Sequence, residues 1–171
     1  YHGWHDWYLS ANLINKNNLD SHLFPNLSVA GIPKNLKGSS ISVNFNDVKK
    51  VRTLGLKYKK RIAAIKIETQ RNDPPTKEFL KEIENIRNKY GVKLIVDECT
   101  SGFRENFGGI YQKFNIRPDI VIFGKSLGNG FPITAILGRK KIMLNADKTF
   151  ISSTFWSERT GTTAAIATLK K

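Results

Sequence analysis

Beyond residue 40 the chain alternates between short runs rich in Ile, Val and Leu and longer stretches in which apolar residues return every three or four positions. Short continuous apolar runs predict buried strands, and the three-to-four spacing predicts amphipathic helices. Residues 41–45 read as a short strand, followed by Asn46 as the cap of a helix that stays amphipathic to about Tyr58. Residues 62–67 form an apolar run interrupted by Lys66. Asp73, Pro74 and Pro75 open the clearest helix, where Phe79, Leu80, Ile83, Ile86 and Tyr90 make one apolar face before Gly91 ends it. Residues 94–96, 120–123 and 133–137 read as further strands, with helices expected around residues 110–114 and from near Glu158. Upstream, residues 10–40 are rich in Asn, Ser, Gly and Pro and read mostly as loop. Strands separated by long helical stretches need crossover connections and therefore a parallel sheet. Their near-continuous apolar character fits a sheet covered on both faces. The class is α/β, with a mostly parallel central sheet and helices on both faces. No repeat, low-complexity tract or linker divides residues 1–171.

Composition changes this picture little. Of the 171 residues 40% are hydrophobic and 25% charged, with 13 Gly and 6 Pro, which excludes disorder and collagen. Cys99 is the one cysteine, so an intrachain disulfide is excluded and a reducing, cytoplasmic compartment is the default. No apolar run approaches the length of a membrane-spanning helix, and no signal segment opens the chain. The chain begins at Tyr1, has its one Met at Met143, and ends in AAIATLKK without a helix stop signal. It is expected to be the interior of a longer protein.

Charge is the unusual figure. Lys and Arg number 28 against 14 Asp and Glu, a net charge of +14. Such a surplus attracts phosphate, so a basic nucleic-acid- or anion-binding α/β domain is the rival reading. Against it, the lysines are scattered as pairs such as Lys49-Lys50, Lys59-Lys60 and Lys140-Lys141. No zinc-finger spacing, helix-turn-helix or RNA-binding aromatic signature accompanies them, so no specific nucleic acid is expected. His2, His5 and His22 are near one another, but no Cys or carboxylate motif completes a metal ligand set.

In an open α/β sheet, ligands bind beyond the carboxyl ends of the strands. Glu68 ends AAIKI, Asp97 and Glu98 end KLIV, and Lys125 follows IVIF and a glycine, leading into the glycine-rich SLGNGFP. These residues are expected to converge on one cleft. Taken singly, the acids are ordinary helix caps and the lysine an ordinary loop residue. As a pair, Asp97 and Lys125 are expected to be buried at strand ends, where desolvation turns an amine into a nucleophile for carbonyls. An Asp on a neighbouring strand suits a positively charged ring nitrogen. Gly128 and Gly130 allow close backbone approach to a planar ligand. The lysine precedes the glycines, so no nucleotide P-loop is indicated.

Several segments resemble the class III, fold type I pyridoxal-phosphate aminotransferases in order along nearly the whole chain. YHGWHDWY is similar to the family's aromatic-His-Gly segment, AAIKIET to its strand ending in Glu, and LIVDECTSGFR to its Asp-Glu strand end. RPDIVIFGKSLGNGFPITAILGR resembles the lysine segment closely, and GFR is more like the glutamate-1-semialdehyde aminomutase branch. The resemblance implies a three-layer fold type I large domain, of which residues 1–171 are the central part. The upstream phosphate loop and the C-terminal small domain would lie outside the chain.

By position, the resemblance makes Lys125 the Schiff-base lysine and proton shuttle, and Asp97 the partner of the pyridinium nitrogen. Tyr1 would stack on one face of the cofactor ring and Cys99, where the family usually has Val, would sit against the other. His2 reads as a polar group beside the cofactor. Thr100 stands where a Gln often reaches the ring hydroxyl, and Glu68 matches the glutamate of an EP pair whose Pro is here Thr69. Ser153 and Thr154 match the stretch that contacts the cofactor phosphate of the neighbouring subunit, although Trp156 to Arg159 replace the GGNP that usually follows. The implied protein is a homodimer with shared active sites that moves an amino group between a small-molecule amino donor and a carbonyl substrate. Transamination and aminomutation both remain open, as does inactivity of the segment in isolation.

Overall fold

In the computed structural model, residues 2–3, 6–14 and 28–171 are described. The chain divides into two compact units, Tyr1–Lys50 and Val51–Lys171. In the first unit, α1 (Asp6–Leu9) runs into a tighter turn at Ser10–Leu13, with Ser10, Ala11 and Asn12 buried. The Ser10 hydroxyl donates to the Trp7 carbonyl at 2.7 Å.

The strand expected at residues 41–45 does not form; that segment is irregular and leads into a turn. Asn46 is not the helix cap either. It adopts φ 66°, a left-handed conformation that asparagine tolerates better than most residues and that turns the chain. The cap is Asp47, whose Oδ1 accepts from the Lys50 backbone N–H at 2.9 Å, and α2 (Val48–Tyr58) follows.

The second unit carries one four-stranded sheet, in the order β1 (Ala64–Glu68), β2 (Lys93–Glu98), β3 (Ile120–Phe123) and β4 (Ala135–Gly138). β1, β2 and β3 are parallel, and β4 is antiparallel to β3, so the sheet is mixed. The reason lies in the connection. The eleven residues between Phe123 and Ala135 hold no helix beyond the single turn at Lys125–Leu127, whereas a parallel crossover takes a dozen or more residues, usually as an α-helix.

The clearest predicted helix is α3 (Lys77–Tyr90). Its cap is Thr76, whose hydroxyl accepts from Phe79 N–H at 3.2 Å, and Gly91 closes it with φ 74°. The stripe of Phe79, Ile83 and Ile86 is buried, as are Leu94 and Val96 of β2. Close packing of α2 on α3 depends on Gly55, since a Cβ there would come within 2.6 Å of Ile86 Cδ1. A second apolar cluster joins Val121 and Phe123 of β3 to Leu127 and to Ala165 of α5 (Arg159–Leu169), after the short α4 (Lys140–Met143). Among the described residues no helix is long and apolar enough to cross a membrane.

Register fixes which side chains share a face, because paired residues of parallel strands point the same way and alternate along the chain. Pairing of Val96 with Val121 and Glu98 with Phe123 puts these four on one buried face. Pairing of Glu68 with Asp97 and Lys66 with Ile95 puts those four on the other.

Buried Asp119 begins β3 from just outside it. Its Oδ2 accepts from Arg87 at 2.9 Å and from the Leu94 backbone N–H at 2.9 Å, and Arg139 lies 3.5 Å from Oδ1. Burial alone would raise its pKa, but the Leu94 hydrogen bond and the charges of Arg87 and Arg139 outweigh burial and hold it below the usual carboxylate range. A depressed folded-state pKa gives stability that is complete above the unfolded value, about 3.9, and is lost as pH falls through the folded one. Asp119→Asn is expected to cost about 3 kcal/mol at pH 7, because it leaves buried Arg87 short of a charge partner. In denaturant titrations the gap between the two proteins should narrow below about pH 4. A gap independent of pH would refute the charge account.

Candidate active site

The parallel register brings three strand ends to one edge of the sheet. Glu68 is the last residue of β1 and pairs with Asp97, while Glu98, the last residue of β2, pairs with Phe123 at the end of β3. Lys125 follows Phe123 after one glycine. The expected convergence of Glu68, Asp97 and Lys125 is therefore a direct consequence of strand pairing.

Asp97 is buried, with 6% of its surface exposed. Its Oδ1 accepts from the Cys99 backbone N–H at 3.1 Å, and its Oδ2 lies 3.5 Å from Lys66 Nζ. The loop that follows β2 carries half-buried Cys99 and Thr100. Cys99 packs at the foot of the lysine segment, where a Cβ on Gly124 would meet its Sγ at 2.8 Å. Glycine at 124 is thus required by close approach, not by backbone conformation.

Lys125 Nζ donates to Thr100 Oγ1 at 2.7 Å, and Thr100 Oγ1 in turn is 3.5 Å from Glu68 Oε1. Lysine, hydroxyl and carboxyl group thus line up across the ends of β3, β2 and β1. The expectation that Lys125 is buried is corrected: it is exposed. A strand end in a sheet is buried only if something lies over it, and Lys125 begins the turn that leaves the sheet. Its backbone is held in the left-handed region at φ 42°, unusual for a residue with a side chain. Hydrogen bonds from Leu127 N–H to the Gly124 carbonyl at 3.0 Å, and from Gly128 and Asn129 N–H to the Lys125 carbonyl at 3.1 and 3.0 Å, fix that conformation.

Sequence reasoning left Glu98 without a role. The structure buries it completely. Its Oε1 accepts from the Thr69 hydroxyl at 2.7 Å and from the Tyr111 backbone N–H at 2.9 Å, and its Oε2 accepts from the Ser101 hydroxyl. The same side chain therefore ties the end of β2 to the residue after β1, to its own following loop and to the turn at Ile110–Phe114. The signal was present in the sequence as a second acid at a strand end. What it lacked was the identity of the donors.

Tyr1 lies outside the described residues, as do His5 and His22, and His2 belongs to the first unit. Ser153 and Thr154 are exposed in an irregular segment, where the Trp156 N–H donates to the Ser153 carbonyl at 3.2 Å. That segment also exposes Phe150, Ile151, Phe155 and Trp156 before Glu158 caps α5. Among the described residues no group of three His, Cys, Asp or Glu is placed to hold a metal ion.

The donor set is a primary amine, a buried carboxyl group and a hydroxyl on adjacent strand ends. It can condense with an aldehyde, pair with a basic ring nitrogen and hydrogen-bond a ring substituent. Comparison with known proteins points the same way. The family described as "Aminotransferase class-III" matches residues 1–171. The 3-aminobutyryl-CoA aminotransferase of Cloacimonas acidaminovorans is 33% identical over 99% of this chain and 39% of its own length. The glutamate-1-semialdehyde 2,1-aminomutase of Ignicoccus hospitalis is 32% identical over 100% of this chain and 41% of its own. A solved transaminase with PLP bound superposes with TM-score 0.82 at 24% identity, over 99% of this chain and 41% of that one. The chain thus spans about two-fifths of the curated relatives it matches.

Because Glu98 satisfies three donors inside the protein, its loss should be costly. Glu98→Leu leaves those donors facing an apolar group, at about 1–3 kcal/mol for each that cannot re-aim. Glu98→Gln keeps one acceptor oxygen and should fall between the two in thermal unfolding. Equal melting temperatures for Glu98→Leu and the unaltered protein would show that the network carries no stability.

Proposed function

This chain belongs to the class III aminotransferases, and its mixed sheet flanked by helices is an incomplete three-layer α/β large domain of that family; from that premise we propose that residues 1–171 form the central part of a pyridoxal-phosphate-binding domain in which Lys125 and Asp97 are the catalytic pair. The whole protein transfers an amino group between a small-molecule amine and a carbonyl compound. The phosphate-holding loop and the small domain lie in parts of the protein outside this chain, in keeping with its share of the relatives' length.

The observation that carries the reading is the Lys125 amine at 2.7 Å from Thr100 Oγ1, on the sheet edge where Asp97 presents a buried carboxyl group. When bound, pyridoxal 5'-phosphate supplies an aldehyde and a ring that takes up the electron pair released at the substrate carbon. Lys125 Nζ would hold that aldehyde, and the same amine would be the base that moves a proton to and from the substrate carbon. Asp97 keeps the ring nitrogen protonated. Thr100 orients the lysine amine, and its hydroxyl is available to the ring hydroxyl. By the family resemblance, Cys99 and Tyr1 would bound the two faces of the ring, and His2 and Glu68 would add polar contacts. Ser153 and Thr154 reach the phosphate bound by a second copy, and the neighbouring exposed Phe150, Phe155 and Trp156 supply the apolar surface such an interface needs.

Relatives carry both chemistries, an aminotransferase and a 2,1-aminomutase, and residues at the strand ends serve either one. The GFR segment (residues 102–104) favours the aminomutase-like branch. A reducing cytoplasmic setting fits the free thiol of Cys99.

Borohydride reduction of the full-length protein loaded with pyridoxal phosphate, followed by digestion and mass spectrometry, should find a pyridoxyl group on Lys125. An adduct on another lysine would overturn its assignment. Lys125→Ala should lower turnover by at least about 10²–10⁴-fold, the usual worth of a general acid–base group alone. Shared sites make a separate prediction. Mixed dimers that combine Lys125→Ala subunits with inactive Ser153/Thr154 double-variant subunits should regain part of the activity, because one site per dimer is then intact. No recovery would place the phosphate contact within a single chain.

A further inference from the structure

Lys66 interrupts the apolar run of β1, and the register explains where its charge goes. Pairing of Lys66 with Ile95 and of Glu68 with Asp97 puts Lys66 and Asp97 on the same face, as diagonal neighbours. Lys66 Nζ lies 3.5 Å from Asp97 Oδ2, with 29% of the lysine side chain exposed and 7% of the aspartate side chain. The two carboxyl oxygens thus have different neighbours on this face. Oδ1 accepts from the Cys99 backbone N–H at 3.1 Å, and Oδ2 faces an ammonium group.

A buried carboxyl group needs a compensating partner, and removing a cation from it is strongly unfavourable. The functional reading above gives Asp97 a second cation, the protonated ring nitrogen of the cofactor. One carboxyl group facing two cations holds each less firmly than it would hold either alone. We infer that Lys66 competes with the cofactor ring nitrogen for Asp97: it compensates the carboxyl group in the cofactor-free protein, and in the loaded protein it weakens protonation of the ring. Lys66 is therefore a positioning residue that acts through Asp97. It sets how strongly the ring draws electrons and how tightly the cofactor is held against exchange. This inference rests on the assignment of Asp97 to the ring nitrogen.

The test uses the full-length protein and pyridoxal phosphate labelled with ¹⁵N in the ring. Lys66→Met keeps length and removes charge, Lys66→Arg keeps charge, and Lys66→Gln repeats the charge removal should Lys66→Met not fold. In the charge-removed variant the cofactor-free protein should melt at lower temperature. Cofactor dissociation measured by equilibrium titration should tighten about tenfold, the low end for a neighbouring charge because Lys66 is partly screened by solvent. The ring ¹⁵N resonance should move towards the pyridinium position, and Lys66→Arg should match the unaltered protein in both readings. Unchanged affinity and an unchanged ¹⁵N resonance in the charge-removed variant would overturn the inference. Asp97→Asn separates the two levels of the argument. If it shifts the ring ¹⁵N resonance while Lys66→Met does not, the inference fails and the Asp97 assignment stands. If Asp97→Asn leaves the resonance in place, the assignment itself fails and the inference with it.

Discussion

Glu98 is fully buried and accepts from Thr69, Ser101 and the Tyr111 backbone, groups supplied by three separate stretches of chain. A polar group so far from water is tolerable only when its hydrogen-bonding capacity is met, so the position of each of these stretches is dictated by the others. The consequence reaches the neighbouring residue. With Glu98 fixed on the buried face, strand alternation turns Asp97 to the opposite face, beside Lys66 and Glu68. The loop that carries Cys99 and Thr100 then begins from a fixed point, and Thr100 meets the Lys125 amine at 2.7 Å. One satisfied acid thereby positions the neighbouring acid, to which the proposed function gives the ring nitrogen.

The second organising feature is the turn after β3. Lys125 sits in a left-handed backbone conformation secured by three hydrogen bonds across Gly124 to Asn129. This turn delivers the amine to the sheet edge and begins a connection without a crossover helix, after which β4 runs antiparallel to β3. Gly124 completes the arrangement by leaving room for Cys99 Sγ. Basic charge, the most conspicuous feature of the composition, plays its clearest structural part in two pairs: Arg87 with Asp119, and Lys66 with Asp97.

Much of the fold was legible in the sequence because its signals are local. The spacing of Phe79, Ile83 and Ile86, the Pro pair before them and the Gly91 stop are properties of a single helix, and α3 forms where they predict. Apolar runs located β1 to β3 within a residue or two for the same reason. Where the local signal competed with backbone conformation it misled. Residues 41–45 have strand-like composition but no strand forms there, and Asn46 turns the chain while Asp47 caps the helix.

The sequence by itself determined the α/β class, and that Glu68, Asp97 and Lys125 lie together at the carboxyl ends of neighbouring strands. These follow from periodicity and from the rule that parallel strands present their carboxyl ends together. Tertiary structure alone decided which partners those residues meet. It set the direction of β4, the exposure of Lys125, the burial of Glu98 among three donors and the 3.5 Å approach of Lys66 to Asp97. Each of these depends on register between segments distant in sequence, and register is an outcome of packing the whole sheet rather than a property of any one segment.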